Sequence, residues 1–177
     1  MVFWKKGFDA TSMKDLEVAT QLTPGSIYHE FGSKLGFFEH ALSQYIDTVV
    51  AFRISHYFSQ TENPMQSVRD FIVSSFKEVP KEVRGDACLL VNTATELGKA
   101  QPSVSAVIKR GFRTIEKGLY KQLQIAQANG DIREEIDCQV AARQLTHLMS
   151  GLLVASKSQS NVDSLESTVD FTLQAYR

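Results

Sequence analysis

Apolar residues recur at intervals of three and four over a long segment in the second half of this chain, the spacing that lines one face of an α-helix. The residues are Val104, Ile108, Phe112, Ile115, Leu119 and Leu123. Asn129-Gly130 follows them and is typical of a helix C-terminus. No segment alternates with period two over the length of a strand, and no repeat is visible. The sequence therefore predicts an all-α fold of about nine helices.

Polar capping residues predict where other helices begin. Asn63-Pro64 joins a capping side chain to a proline at the first helical position. An apolar face follows as far as Val79, before an expected loop at 80–85. Asp137 is a candidate cap for a later helix, and Asp163, with an acidic residue three positions on, has the capping-box spacing that marks the start of the last helix.

The composition limits the class of protein without deciding on nucleic-acid binding. A chain of 177 residues that is 43% hydrophobic can bury one sizeable core, or a small domain packed on a larger one. Its 19 basic and 20 acidic residues give no argument for DNA binding. Residues 1–53 hold five basic and six acidic residues, so any contact with DNA must come from local placement.

Signals for export, membranes and metals are missing from the sequence. The longest apolar runs, such as Leu152 to Ala155, are far too short to cross a bilayer, and the start does not match a secretory signal. Cys88 and Cys138 lie far apart, without the spacing of a metal site, and suit a reducing compartment. We therefore expect a cytoplasmic protein that does not bind a membrane, a metal or a cofactor.

Two short helices joined by a tight turn are predicted near the N-terminus. Ser12, with an acidic residue three positions on, marks the first helix, which should end near Thr20. Thr23-Pro24 begins the second, Gly32 ends it, and Ser33 caps a third. This is the geometry of a helix-turn-helix DNA reader. It predicts a DNA-binding domain over 1–45 and a larger helical body over 46–177, although an ordinary helical hairpin would show the same caps and spacing.

Helical spacing predicts which side chains of this region are buried. The apolar set expected to pack inward is Leu16, Ala19, Leu22, Ile27 and Phe31. The second helix then presents an outward set of Gly25, Ser26, Tyr28 and His29. A glycine there lets the backbone approach base edges, and hydroxyls at helix N-termini bind phosphate. Thr11, Thr23 and Ser33 are candidate phosphate contacts of this kind, and Lys34 adds a full charge.

The same residues resemble a known DNA-binding signature. The strings GFDATS at 7–12, LTPGSIYHEF at 22–31, GSK at 32–34 and FF at 37–38 are similar to that of the TetR family. GDACLLVNT at 85–93 also resembles a segment in the sensing domain of an AcrR-like branch. By these residues the chain resembles a family of transcriptional regulators.

The resemblance implies a ligand-responsive repressor. A homodimer, paired through the last two helices, would place two recognition helices in successive major grooves of a palindromic double-stranded operator, with half-sites roughly 34–36 Å apart. A small-molecule effector in the body would tilt the helix that runs from Lys34 toward Ser59 and release the DNA. The DNA contacts implied by position are Thr11, Ser12, Thr23, Pro24, Gly25, Ser26, Tyr28, His29 and Lys34.

Three departures from the family pattern stand out. In family members most of a first helix usually precedes the position that Met1 occupies here. We therefore expect either a chain trimmed from a longer natural protein or a weakened DNA-binding domain. Gln21 stands where glycine is usual, and a left-handed conformation there would cost about 1 kcal/mol. Leu35-Gly36 replaces an acidic-small pair. Neither of the last two changes removes a proposed contact.

The helical body offers candidates for a ligand cavity and a dimer interface. Candidate cavity residues are Phe52, His56, Phe71, Phe76, Cys88, Asn92, Glu96, Phe112, Tyr120 and His147. Candidate interface residues are Leu145, Leu148, Leu152, Leu165, Val169 and Leu173. Aromatic residues and leucines at helical spacing are also typical of an ordinary core. Cys88 has two interpretations, a redox or electrophile sensor near a helix start and a small buried apolar residue.

An enzyme and a dimeric ligand-binding module without DNA binding are the competing functional hypotheses. The motifs GxSxG, HExxH, GxGxxG, a P-loop and paired cysteines are all missing from the sequence. Glu96 and His147 would form a catalytic pair only if the fold brought them together. We therefore expect no enzymatic activity.

Overall fold

The computed structural model describes residues 2–60, 62–78, 88–158 and 161–177, and within them all regular structure is helical. The helices are α1 (Val2–Lys6), α2 (Met13–Thr20), α3 (Pro24–Phe31), α4 (Lys34–Tyr45, a π-helical turn Ile46–Val50, and Ala51–Phe58), α5 (Pro64–Lys77), α6 (Leu89–Glu96), α7 (Pro102–Ala128), α8 (Cys138–Lys157) and α9 (Val162–Gln174). The all-α prediction is confirmed. Val79, the predicted loop at 80–85 and the first residues of the 85–93 string lie outside the described residues.

Side-chain caps start the helices where the sequence indicated, with one exception. Ser12 and Asp15 form a reciprocal capping box, in which each side chain accepts the other residue's backbone N–H, at 3.1 and 2.9 Å. The other confirmed caps are Thr23, Ser33, Asn63 and Asp137. The predicted cap of the last helix, Asp163, lies two residues after the observed one. Asn161 caps α9 by accepting the Asp163 N–H at 2.9 Å, so Asp163 lies in the first turn.

Helix α4 links the N-terminal helices to the body, as predicted for a helix from Lys34 toward Ser59. Its π turn at Ile46–Val50 buries Ile46 and Val50. Helix α7 crosses α6 and α4 closely at Gly111. An added Cβ there would lie 2.8 Å from the methyl groups of Leu90 on α6 and 3.0 Å from that of Ile46 in the π turn. Helices α4, α6 and α7 therefore meet at the π turn without room for another side chain.

One apolar core runs through the described residues. It extends from Leu16 and Ile27 in the N-terminal helices through Leu42 on α4 to Leu119 and Leu145 in the body. The predicted division after residue 45 falls where α4 passes into its π turn. Because the core is continuous across this point, the division stays a prediction.

Gly36 holds α3 and α4 in close contact, and a Gly36→Ala substitution is expected to lower the free energy of unfolding by about 1–3 kcal/mol. A Cβ at Gly36 would lie 2.1 Å from the carbonyl oxygen of Phe31, so the backbone must shift. Urea denaturation measures the change. Gly25→Ala is the matched control, because its Cβ would meet nothing nearer than 3.8 Å. Equal stability of the two variants would contradict this packing.

Candidate functional site

Helix α3 presents a polar and aromatic face outward. Ile27 is fully buried beneath it, while Tyr28 is 50% exposed. Gly25, Ser26 and His29 are exposed beside Tyr28, as predicted. Helix α3 thus has side chains available to a partner on its outer face, and the buried Ile27 holds it to the core.

The start of α3 combines a cap with exposed hydroxyls. The Thr23 hydroxyl accepts the Ser26 N–H at 3.1 Å and contacts the Ser26 hydroxyl at 3.0 Å. Pro24 occupies the first turn, where its missing N–H leaves no group unpaired. A helix start of this kind carries partial positive charge. It can attract phosphate although the surrounding sequence is not basic.

Two of the residues expected to pack inward are exposed instead. Ala19 lies on the outer side of α2, and Leu22 is 41% exposed in the turn. Gln21 adopts the left-handed conformation, with φ 59°, which turns the chain between them. Leu16 is buried in this short helix and Met13 is half-buried, because eight residues supply just over two turns.

Thr11 was predicted to contact phosphate through its hydroxyl, but the structure buries this side chain. Thr11 is 1% exposed, and its hydroxyl donates to the Gly7 carbonyl at 2.6 Å. It stabilises the turn between α1 and α2. Lys34 lies at the base of α4 with its ammonium 4.5 Å from the centre of the Phe8 ring, a cation–π contact that orients it. Ser12 and Ser33 stay exposed as helix caps.

Glu96 joins the body to the N-terminal helices. Its carboxylate accepts the backbone N–H groups of Phe8 and Asp9, at 3.0 and 2.9 Å, from the C-terminal end of α6. Gly7, with φ +76°, passes directly beneath it, and an added Cβ would lie 2.8 Å from a carboxylate oxygen. Glu96 is exposed and is not among the residues that line the cavity described below.

A cavity of about 410 Å³ lies between α1, α4, α5 and the body helices. It is lined by Trp4, Tyr45, Val49, Val50, Phe52, Arg53, His56, Tyr57, Phe71, Ser75, Glu78, Cys88, Ile115, Met149 and Leu153. Four of the ten candidates are therefore brought together here: Phe52, His56, Phe71 and Cys88. Its size is that of a small-molecule site.

The other six candidates do not line this cavity: Phe76, Asn92, Glu96, Phe112, Tyr120 and His147. Tyr120 lines a separate open groove between α4 and α7, and His147 is exposed on the outer side of α8. Glu96 therefore does not pair with His147, because Glu96 bonds the turn before α2. The pair that the enzyme hypothesis would need is therefore not formed.

Tyr45 connects the cavity wall to α1 and α6. Its hydroxyl lies 3.3 Å from the Cys88 sulfur, and its ring meets the Trp4 ring edge-on with centres 5.1 Å apart. Burial raises the pKa of Tyr45 well above its usual value, so the phenol stays neutral at physiological pH. Cys88 is half-buried at the start of α6. Its role as a sensor stays a prediction.

The residues predicted to form the dimer interface pack within the core of the single chain. Leu145, Leu152, Leu165, Val169 and Leu173 are all buried within the single chain, and Leu148 is half-buried. The exposed side of α8 instead carries Val140, His147, Gly151 and Val154. On α9 the Phe171 side chain is 77% exposed. The centre of each apolar stripe thus faces inward, and its flanks are what a second subunit can reach.

Comparison with known proteins decides the family. The N-terminal helices, residues 1–41, match the family model described as bacterial regulatory proteins of the tetR family. Residues 64–171 match the tetracyclin repressor-like C-terminal domain. This chain belongs to the TetR family of transcriptional regulators. It is therefore a DNA-binding regulator with an N-terminal helix-turn-helix, and it is not an enzyme.

Relatives extend over nearly the whole chain. The HTH-type transcriptional repressor ComR of Escherichia coli K12 is 24% identical over 175 residues, which cover 99% of this chain and 83% of ComR. The transcriptional regulator UidR of the same strain is 27% identical over 154 residues, covering 86% of this chain and 74% of UidR. Both relatives carry the helix-turn-helix designation in their names.

Solved structures share the fold. A TetR-family regulator from Cytophaga hutchinsonii superimposes with a TM-score of 0.87 at 20% identity, covering 99% of this chain and 89% of that one. A cysteine mutant of the TetR-family regulator CifR, crystallised with a 26-base-pair operator, superimposes with a TM-score of 0.81 at 23% identity, covering 99% and 92%. Among the described residues, no helix is both long and apolar enough to span a membrane.

Proposed function

We propose that this chain is a cytoplasmic repressor that binds a palindromic operator as a homodimer and is released by a small molecule in the cavity. The observation that carries the proposal is the exposed face of α3, with Tyr28 at 50% exposure beside a capped helix start. An exposed aromatic residue on a helix anchored by one buried isoleucine suits insertion into a groove. The family supports the DNA partner.

The α3 face divides into two kinds of DNA contact. Gly25, Ser26 and Tyr28 face outward on the helix and would meet base edges in the major groove. The phosphate contacts would come from Thr23, at the helix start, and from His29 and Lys34. Thr11 is removed from this set because its hydroxyl is buried and bonded to Gly7.

The exposed flanks of α8 and α9 would form the dimer interface. Phe171 supplies a large apolar side chain that a monomer seldom leaves in water. Val154 adds apolar surface on α8, and Gly151 adjoins open space in which a second helix can approach closely. Two-fold pairing would place each Phe171 against the partner subunit.

The cavity would communicate with α3 through α1 and α4. Trp4 and Tyr45 both line it and touch each other, so a bound molecule meets the N-terminal helices directly. The π turn of α4 also borders the cavity through Val49 and Val50. A ligand that repositions this turn would tilt the first part of α4, and with it α3, out of register with the partner's α3.

Glu96→Gln is expected to weaken operator binding about threefold to tenfold without changing ligand affinity. The neutral amide cannot accept both N–H groups as strongly as the carboxylate, so the turn before α2 is held less firmly. Operator titrations by fluorescence anisotropy measure the effect. Glu134→Gln, at an exposed position on the loop before α8, is the matched control. Wild-type operator affinity in the Glu96 variant would rule out this coupling.

Selection from a random pool of double-stranded DNA tests the proposed function. We expect the whole chain to enrich a palindromic sequence and to bind it with an affinity that falls steeply with salt, because phosphate contacts release counterions. Failure to enrich any sequence would favour a dimeric ligand-binding module without DNA binding.

A further inference from the structure

Arg53 is held rigidly in the wall of the cavity. Its Nη2 donates to the Phe71 carbonyl at 3.0 Å and to the Ser74 hydroxyl at 2.9 Å. The guanidinium carbon lies 5.6 Å from the ring centres of both Tyr57 and Phe71. These contacts fix the plane of the guanidinium and leave Nε and Nη1 as further donors.

The charge of Arg53 is not balanced by an ion pair with any described carboxylate. Arg69 pairs with Asp170 and Glu166, and Arg110 pairs with Asp47. The acidic residue that the cavity lining includes, Glu78, accepts a hydrogen bond from the Tyr57 hydroxyl at 2.7 Å instead. A half-buried cation that faces a cavity and pairs with no carboxylate of the described residues favours an anion as the occupant.

The field of Arg53 reaches two hydroxyls in the same wall. Burial raises the pKa of both Tyr45 and Tyr57, and the positive charge of Arg53 opposes that rise in each. The guanidinium carbon lies 5.6 Å from the ring centre of Tyr57, so an anion paired with Arg53 would lie near that phenol.

Six aromatic rings line the same cavity. The rings are Trp4, Tyr45, Phe52, His56, Tyr57 and Phe71. The Phe52 and His56 rings, at the exposed rim, lie nearly parallel, at 15°, with centres 5.5 Å apart. The Tyr57 and Phe71 rings meet edge-on with centres 6.4 Å apart. Walls of this kind select flat unsaturated ligands, which gain stacking and edge contacts in addition to burial.

We propose that the effector is a flat aromatic molecule with one anionic group, a carboxylate or an equivalent oxyanion, that pairs with Arg53 while its rings fill the cavity. The inference rests on the proposed function, in which this cavity holds the inducer. A volume of about 410 Å³ accommodates a molecule of two or three fused rings.

Isothermal titration with 2-naphthoate and 2-naphthalenemethanol tests the ligand class, because the two molecules share a ring system and differ in charge. We expect the wild-type chain to bind naphthoate roughly 10- to 100-fold more tightly than the alcohol. Arg53→Gln should lose this preference while keeping its affinity for the alcohol. Arg53→Lys should keep part of it, and Arg113→Gln, at an exposed position on α7, should keep all of it.

Several results would overturn the assignment: equal affinity of the wild-type chain for both molecules, no binding of either, or an unchanged preference in the glutamine variant. Retained affinity for the alcohol shows that the variant cavity is folded. If the glutamine variant does not fold, the wild-type and lysine comparisons still decide.

Operator titrations on the same preparations separate the two proposals. DNA binding without a naphthoate preference overturns the ligand class alone, and the reverse overturns the proposed function alone.

Discussion

Replacing Phe171 with glutamate is expected to prevent the proposed dimer from forming and to abolish operator binding at concentrations that saturate the wild-type chain. The wild-type ring is 77% exposed on α9, and burying such a side chain contributes about 1.5–3 kcal/mol. A two-fold interface contains the residue twice, and a carboxylate there adds a desolvation cost. We therefore expect the dimer dissociation constant to rise at least roughly 100-fold.

Sedimentation equilibrium measures the assembly state, and anisotropy measures operator binding. Ile125→Glu is the matched control, because Ile125 is also exposed and apolar but lies on α7, which is not part of the proposed interface. Phe171→Leu should remain dimeric because it keeps an apolar side chain. A Phe171→Glu variant that sediments as a stable dimer would show that the chain pairs through another surface.

Tyr28→Ala is expected to reduce operator affinity about 10- to 100-fold for each half-site, since a base contact is worth about 1–3 kcal/mol. The neutral side chain carries no phosphate contact, so the dependence of binding on salt should stay as steep as in the wild-type chain. Thermal unfolding should change little because Tyr28 is half exposed and Ile27 holds the helix.

Anisotropy titrations at several salt concentrations measure both quantities. Val18→Ala removes an exposed apolar side chain from α2 and is the control for nonspecific surface effects. Lys34→Ala should act in the opposite way, weakening binding to all sequences and reducing the slope against salt by about one. Unchanged affinity in Tyr28→Ala would mean that α3 is not the recognition helix.

Helix starts and the outward face of α3 were predictable because both depend on neighbours in sequence. Thr23-Pro24 places a hydroxyl and a proline at the two positions that a helix start requires, and the structure contains that cap. Ile27 was expected to be buried from its spacing alone and is fully buried. Local chemistry of this kind does not depend on the rest of the fold.

Burial at the ends of short helices was harder to predict. Ala19 and Leu22 fit the apolar period, yet α2 ends at Thr20 and the left-handed Gln21 turns the chain away. Thr11 was predicted to contact phosphate because hydroxyls at helix starts bind phosphate, but its hydroxyl is buried and donates to the Gly7 carbonyl. Both outcomes depend on a single turn of the backbone.

The cavity and the exposed flank of α8 depend on contacts that are distant in sequence. Trp4, Arg53 and Met149 lie in separate helices, and no local pattern places them at one site. The apolar stripe of α8 is broad enough to cover both the core and a partner, so periodicity cannot tell Leu152 from Val154. Only the crossing of α7 and α8 distinguishes them.

A hydroxyl-radical footprint on the selected operator tests most directly whether α3 reads DNA within a symmetric dimer. We expect two protected patches on one face of the duplex, related by the dyad of the palindrome and centred roughly 34–36 Å apart. Tyr28→Ala and Phe171→Glu should each remove both patches at a concentration that gives full protection with the wild-type chain. A single protected patch, or uniform protection that ignores the palindrome, would contradict binding through paired α3 helices.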